Sequence, residues 1–570
     1  MIHDHCQAFI VGCCALRFTL YALDLPLGEI KYMKKLNFWL PLLFAVVMIL
    51  GMIVGYRLYP STYTGGFFKT GKLSPVQEVL DIIKEKYVDT VHTDSLSEEA
   101  IQGLLSHLDP HSYYIPADDQ VEMNEDLQGN FQGIGVEFQI LNDTVNITNV
   151  LSGGPSDKAG IQVGDQIIRV SDSVVAGNGI TGDKIKKFLR GPGASAVAVT
   201  MFRDRILKQF TIQRGSIPLP ALDASYMIDK ESGYIRINKF SRTTFEEFMI
   251  ALEALEKQGM KKLVLDIRGN GGGIVDEAVN MADEFLGHDD LIVYTEGRKS
   301  PRKEYHAQRP GTFESGKLIL LVDEGTASAS EILTGALQDW DRATVVGRRT
   351  FGKGLVQEPF ELNDGSELRL TIARYYTPLG RSIQKPYNKG REAYNEEVID
   401  RFHNGEMIHG DTTSVHAGPV FRTPAGRQVY GGGGITPDVF VALDTTQIAR
   451  SVSALYISGT LNNFIYEYYI QHQAELKKFQ TPADLYSGFR NDADIWNSLV
   501  VYAKRDSINL TAVTGEDRSQ VEIRVKALLA RLLWRTQGYF FIMNQKDPVL
   551  KKAMELLNSN NPMPSAVSKH

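Results

Sequence analysis

A serine hydroxyl becomes a nucleophile only when a neighbouring group takes its proton. Ser328 lies in GTASASEILTGALQD between Ala327 and Ala329, whose small side chains leave room for a substrate. Taken alone it reads equally well as a helix N-cap. Lys353, in TFGKG, can serve as the base if it is neutral. Its neighbours Phe351, Leu355 and Val356 would allow burial, and burial lowers a lysine pKa. Gln357 follows four residues on and could hold the amine through its amide oxygen without adding charge. No histidine competes as the base: His288 and His306 lie in charged, loop-like stretches, and no G-x-S-x-G elbow exists. Ser300 with Lys303, and Ser382 with Lys385, have S-x-x-K spacing. The first pair sits in a charged loop, the second runs into Pro386, and neither has the companion motifs.

The elements around these residues must place them. Lys317 to Val322 is almost wholly apolar and reads as a buried strand. The chain breaks at Asp323-Glu324-Gly325-Thr326. It then enters a helix whose Ile332, Leu333 and Leu337 recur at helical spacing. Ser328 therefore falls at a helix N-terminus, where backbone N–H groups are unpaired and the dipole is positive. KLVLDIRGNGGG repeats the pattern, a buried strand running into a glycine turn before the helix IVDEAVNMADEFL. A phosphate loop is not supported, because no Lys-Ser/Thr follows the glycines. Dinucleotide binding is weak, because the spacing is not G-x-G-x-x-G. Strand and helix alternate through residues 216–440, which predicts a layered α/β core. ELNDGSELRLTIARYY reads as a hairpin turning at Asp364-Gly365.

Residues 126–215 read as a β-rich module. FQGIGVEF and KAGIQVGDQIIRV, in that order, resemble a PDZ domain. Glycine-rich amides suit a terminal carboxylate, and a peptide can add as a strand to an exposed sheet edge. On that resemblance Gly133, Ile134, Gly135 and Val136 would contact the ligand terminus. Residues 74–125 read as a helical segment that packs and carries no site. His107 and His111 flank Asp109 there, but no further ligands gather, so no metal site is expected. Residues 441–570 predict a mostly helical extension, with dimerisation, gating and adaptor binding all left open.

At 570 residues the chain predicts three or four domains. A net charge of −7 gives no electrostatic case for nucleic acid. Its cysteines, Cys6, Cys13 and Cys14, offer no disulfide framework or thiol nucleophile to the remainder. Leu36 to Tyr56 carries no formal charge over a length that suits a bilayer. Lys34 and Lys35 precede it. The positive-inside bias puts residues 1–35 in the cytoplasm and the bulk of the chain outside, past a linker at 57–73. No A-x-A site follows the run, which favours an uncleaved anchor over a signal peptide. Met33-Lys34-Lys35 reads as a translation start, which makes residues 1–32 an expected artefact of start-site choice.

LDPHSYY, LRGPG, LVLDIRGNGGG, GTASASEILTGALQD, GRRTFGKGLVQ and YTPLGRSIQ occur in order between about 74 and 440. Together with the PDZ motifs they resemble the carboxyl-terminal processing, or tail-specific, protease family. The resemblance implies Ser328 as nucleophile, Lys353 as general base and Gln357 as its support. It implies oxyanion donors at Ala329 and at Gly272 or Gly273. Ser330 is then left for the plain capping role. The expected fold is an α/β (α+β layered) protease core with an inserted β-rich PDZ domain, an N-terminal transmembrane helix and a C-terminal mostly helical extension. The expected function is a membrane-anchored serine endopeptidase of exported proteins, on the periplasmic side of the inner membrane and without metal or organic cofactor. Expected partners are C-terminal tails of unfolded or exported proteins, with a homo-oligomer or an adaptor protein left open. A non-catalytic PDZ scaffold of the same fold is the alternative, disfavoured by the intact Ser328, Lys353 and Gln357. The chain departs from the family where about 45 residues separate RSIQ from GITPD. This polar insert, 386–429, is expected to be an irregular surface excursion.

Overall fold

The computed structural model describes residues 39, 41–53, 74–410, 418–445, 448–489 and 493–559. The expected cytoplasmic stretch 1–35 and linker 57–73 lie outside the described residues. So do parts of the expected anchor, 36–38, 40 and 54–56. The chain divides into two units, Met1–Val91 and His92–His570. In the first, residues 41–53 are helical and exposed. Pro75–Lys86 forms a helix with proline at its start, and Ser74 Oγ accepts the Gln77 N–H at 3.3 Å. No helix among the described residues is long and apolar enough to cross a membrane.

The second unit is built on a six-stranded sheet. Its order is Leu222–Met227, Ser232–Ile237, Lys262–Asp266, Lys317–Val322, Thr344–Gly347 and Val439–Phe440. All neighbours pair in parallel except the first two strands. Parallel strands buried on both faces need continuous apolar sequence, and KLILLV supplies it. Leu318, Leu320 and Val322 point to one face, where they meet the helices Thr244–Lys257, Val275–Asp283 and Ala329–Asp339. Ile319 and Leu321 point to the other, as the pleat requires. That second face is covered by Val549, Leu550, Ala553 and Leu557 of the helix Pro548–Asn558. Lys317 Nζ donates to the carbonyls of Leu557 and Ser559 at 2.8 and 2.9 Å, a cation on the helix C-terminus. This last helix is therefore a layer of the protease core and not part of a separate extension.

A second sheet carries the lysine loop. Leu355–Glu361 pairs with Glu367–Tyr376, which also pairs with Tyr113–Ile115 and Leu291–Glu296. The PDZ sheet has the order Val136–Leu141, Thr144–Val150, Gln166–Val170, Ala196–Arg203 and Ile206–Gln213. The helix Gly182–Leu189 packs on it through Ile185 and Leu189. Helices from Arg450–Ile457 to Gly515–Met543 share their own core of Leu455, Phe464, Trp496, Leu499, Val525 and Leu529.

The insert is not an irregular surface excursion. It forms the helices Arg391–His403 and Glu406–His409, and a hairpin of Val420–Arg422 with Gln428–Tyr430. Residues 411–417 lie outside the described residues. Tyr394 and Arg401 on the first helix are both 2 % exposed. The sequence hides this because their partners lie about 50 residues upstream for Arg401 and 283 for Tyr394.

Candidate active site

Ser328 ends the turn that follows Lys317–Val322, and the helix begins at Ala329. Its backbone lies at φ 57° and ψ −118°, a conformation that a non-glycine residue adopts at a cost of about 1–3 kcal/mol. Neighbouring bonds hold it there. Ser328 N–H donates to Glu331 Oε2 at 3.0 Å, and Ala327 N–H donates to the Asn270 carbonyl at 3.0 Å. Ser330 is not a cap. It is buried one residue inside the helix, and its Oγ donates to the Asn270 carbonyl at 2.9 Å.

Asn270 also shapes the glycine turn, because its Oδ1 accepts the Gly272 N–H at 2.9 Å. Gly272 lies directly against the serine: a Cβ there would sit 2.7 Å from Ser328 Cβ and 2.9 Å from Ala329 N. Its amide is therefore taken, although its position is the closer. Phe240 N–H donates to the Gly272 carbonyl and Ile274 N–H to the Phe240 carbonyl, which turns the Gly273 amide away from that ladder. Ala329, as the first helical residue, has no intrahelical acceptor for its N–H. Among the expected oxyanion donors, Asn270 therefore occupies the amide of Gly272 and not those of Gly273 and Ala329, and Gly272 provides the close approach to the serine.

Lys353 stands on the loop before Leu355–Glu361. Its Nζ donates to Gln357 Oε1 at 3.0 Å, and Gln357 Nε2 donates to the His111 carbonyl. Burial lowers the lysine pKa below its ordinary value of 10.5, and the Arg369 guanidinium pushes the same way. Lys353 Nζ and Ser328 Oγ share no hydrogen bond. Such contacts are often long in unliganded enzymes and tighten when substrate binds.

Four contributors escaped the sequence reading. Glu331 is fully buried and accepts N–H groups from Ser328, Gly352 and Lys353, and the Thr350 hydroxyl. Its desolvation pushes the carboxyl up to about 7, against the pull of those donors. Ser328-x-x-Glu331 is a capping-box spacing, a signal that was there to be read. The Tyr375 hydroxyl reaches the carbonyls of Ser328, at 3.1 Å, and Lys353. His111 belongs to the segment expected only to pack. Asp109 accepts the His111 N–H at 2.9 Å and fixes that turn, and burial holds the His111 imidazole neutral with a pKa near 4. Its Nε2 meets the Tyr394 hydroxyl of the insert at 2.7 Å.

The fourth is Arg401, also from the insert. Its guanidinium donates to the carbonyls of Arg349 (3.1 Å), Thr350 (2.8 Å) and Phe351 (3.1 Å), three consecutive residues leading into the lysine loop. Glu397 pairs with it at 2.7 Å. Lys385 Nζ bonds Glu397 and lies 3.9 Å from the Phe351 ring centroid.

The PDZ positions are distributed unevenly. Gly133 pairs with Gly215, Ile134 is buried in the PDZ core, and Gly135 turns the chain at φ 74°. Val136 alone borders the cavity beside the first PDZ strand.

A serine on a strained strand-to-helix turn, a half-buried lysine held by Gln357 and a glycine turn directly against the serine form a layout suited to acyl transfer, which is the chemistry of a serine peptidase. Residues 231–390 match peptidase family S41, and 132–213 match the PDZ domain. Residues 62–119 match the N-terminal domain of the activating protease CtpB, and 451–535 match a family of unknown function. A probable CtpA-like serine protease of Staphylococcus haemolyticus is 34% identical over 359 residues, covering 62% of this chain and 71% of that protein. Among solved structures, the photosystem II D1 C-terminal processing protease is 27% identical with a TM-score of 0.33, covering 65% of this chain and 88% of that one. The PDZ domain of a carboxy-terminal protease from Vibrio cholerae, in complex with peptide, is 29% identical with a TM-score of 0.15, covering 16% and 99%. The chain belongs to peptidase family S41. Within it, the chain is a CtpA-like C-terminal processing serine protease with a PDZ domain and a CtpB-like N-terminal domain.

Proposed function

We propose that this protease captures the C-terminal tails of exported or unfolded proteins with its PDZ domain and cleaves them through Ser328 and Lys353. The Lys353–Gln357 hydrogen bond, beside a strained Ser328, is the observation that carries the reading. Neutral Lys353 Nζ takes the proton of Ser328 Oγ as the oxygen bonds to the scissile carbonyl carbon. The carbonyl oxygen becomes an oxyanion between the amides of Ala329 and Gly273, since Asn270 already holds that of Gly272, and one such donor is worth about 10²–10³ in rate. The protonated amine then gives its proton to the departing nitrogen, and the C–N bond breaks to leave an ester on Ser328. Lys353 next draws a proton from water, whose oxygen attacks that ester and frees the serine. Gln357, tied to the His111 carbonyl, keeps the amine in place throughout.

In the same reading the apolar run 36–56 anchors the chain and keeps the catalytic part outside the cytoplasm. Support comes from its freedom from charge and from the exposed Leu43, Phe44 and Met48 on the described helical stretch. Membrane fractionation with protease protection tests this placement. Recovery of the full-length chain in the soluble fraction would refute it. For the chemistry, Ser328→Ala and Lys353→Ala should each abolish cleavage of an unfolded substrate with an apolar tail while tail binding persists. Cleavage that survives either change defeats the assignment.

A further inference from the structure

The PDZ sheet leaves one strand half-used. Val136–Leu141 pairs with Thr144–Val150 on one side and, among the described residues, with no strand on the other. A cavity of about 710 Å³ lies against this strand, bordered on the PDZ side by Val136 to Ile140, by Thr148 and Asn149 of the paired strand and, toward the open edge, by Lys186 of the helix Gly182–Leu189. Its opposite side is not solvent. Asn463 and Tyr466 of the helix Thr460–Leu476 form it, together with Leu528, Arg531 and Leu532 of the helix Gly515–Met543.

This second wall is fixed in place. Gln139 Nε2 donates to Asn463 Oδ1 at 2.6 Å, and Arg535 pairs with Glu137 at 2.7 Å. Val163 of the PDZ domain packs into the helical region's own core. The slot's chemistry is equally defined. The free edge presents unpaired backbone donors and acceptors, which an extended chain satisfies as an added strand. Leu528 and Leu532 offer an apolar surface. Arg531 is exposed and forms no hydrogen bond or ion pair among the described residues. It also borders the neighbouring cavity that contains Glu137, which puts it at the Val136 end of the strand. An unpaired guanidinium beside the edge can pair with a carboxylate through charge-assisted hydrogen bonds.

We propose that the helical C-terminal region is the second wall of the tail-binding site: a substrate's C-terminus is held as a strand on Val136–Ile140, with its apolar side chains against Leu528 and Leu532 and its carboxylate end drawn by Arg531. The proposal rests on the tail-capture reading above and deepens it. Specificity then comes from two domains.

The test uses the full chain carrying Ser328→Ala, and a labelled decapeptide with an apolar C-terminus, either free or amidated. Anisotropy gives the Kd. Arg531→Glu should weaken the free-acid peptide roughly tenfold, the scale of one charge-assisted hydrogen bond, and the amidated peptide much less. Arg531→Lys should retain most of the affinity. Leu532→Trp, which narrows the slot, should weaken both peptides. If the parent chain binds but Arg531→Glu and Leu532→Trp leave Kd unchanged, the PDZ strand acts alone and the proposal is overturned. Tighter binding by both variants overturns it too, because the helices would then be a cover. If the parent chain binds neither peptide, the tail-capture reading itself falls, and the slot with it.

Discussion

The amides of Ser328 and Lys353 donate to the same oxygen, Glu331 Oε2, at 3.0 and 2.8 Å. One buried carboxylate thus sets the spacing of the two candidate catalytic residues through their backbones. Glu331→Ala would leave three buried N–H groups without a partner, at about 1–3 kcal/mol each. We expect kcat to fall on the order of 10²-fold, since displacements near 1 Å can cost that much. KM should change little. A loss confined to KM would show that Glu331 does not set this geometry.

The same carboxyl makes stability depend on pH. Burial raises it from 4.5 to about 7, so the folded form binds a proton more tightly than the unfolded chain. The associated stabilisation is complete below about 4.5 and is lost as pH rises through about 7. The Thr350 hydroxyl, the one partner able to accept, can take the added proton. The unfolding midpoint of Glu331→Gln, compared with the parent between pH 5 and 8, should show a flatter dependence. Parallel curves would refute the assignment.

Lys353 must be neutral to act. Burial first, and Arg369 second, lower its pKa, so the acid limb of kcat/KM should lie below the ordinary lysine range. Removing the Arg369 charge weakens one of those two pushes. Arg369→Gln should therefore move the limb to higher pH. A shift to lower pH, or none, would contradict the electrostatic account.

Arg401 staples three carbonyls ahead of the lysine loop from within the insert. Arg401→Met keeps the bulk and removes the donors. It leaves Glu397 with Lys385 and Arg349 as its remaining cations. Loss of a buried charged partner typically costs about 3–5 kcal/mol, so the thermal midpoint should drop along with kcat. An unaltered kcat at a temperature where the fold is intact would return the insert to a decorative role.

The core and the serine turn were legible because their signals are local. Five apolar residues after Lys317, a break and helical spacing placed Ser328 at the helix N-terminus, and the glycine turn followed the same logic. Glu331 was legible in principle as a capping box, but its second partner, the Lys353 loop, arrives from a different sheet. Arg401, Tyr394 and His111 could not be read, because polar residues in a polar stretch look solvated until a distant loop buries them. The two glycines illustrate a finer limit: sequence cannot say that Asn270 occupies the Gly272 amide and leaves that of Gly273.

The helix Pro548–Asn558 has a consequence in time. Until it docks, Val264, Ile319, Leu321 and Val346 lack their cover, and the sheet that carries Ser328 is raw on one face. A ribosome adding about 5–20 residues per second reaches Asn558 on the order of ten seconds or more after Lys353. For that interval the nascent chain holds both Ser328 and Lys353 but no finished core to align them. Order of synthesis alone therefore keeps that face of the sheet open until Asn558 has been made.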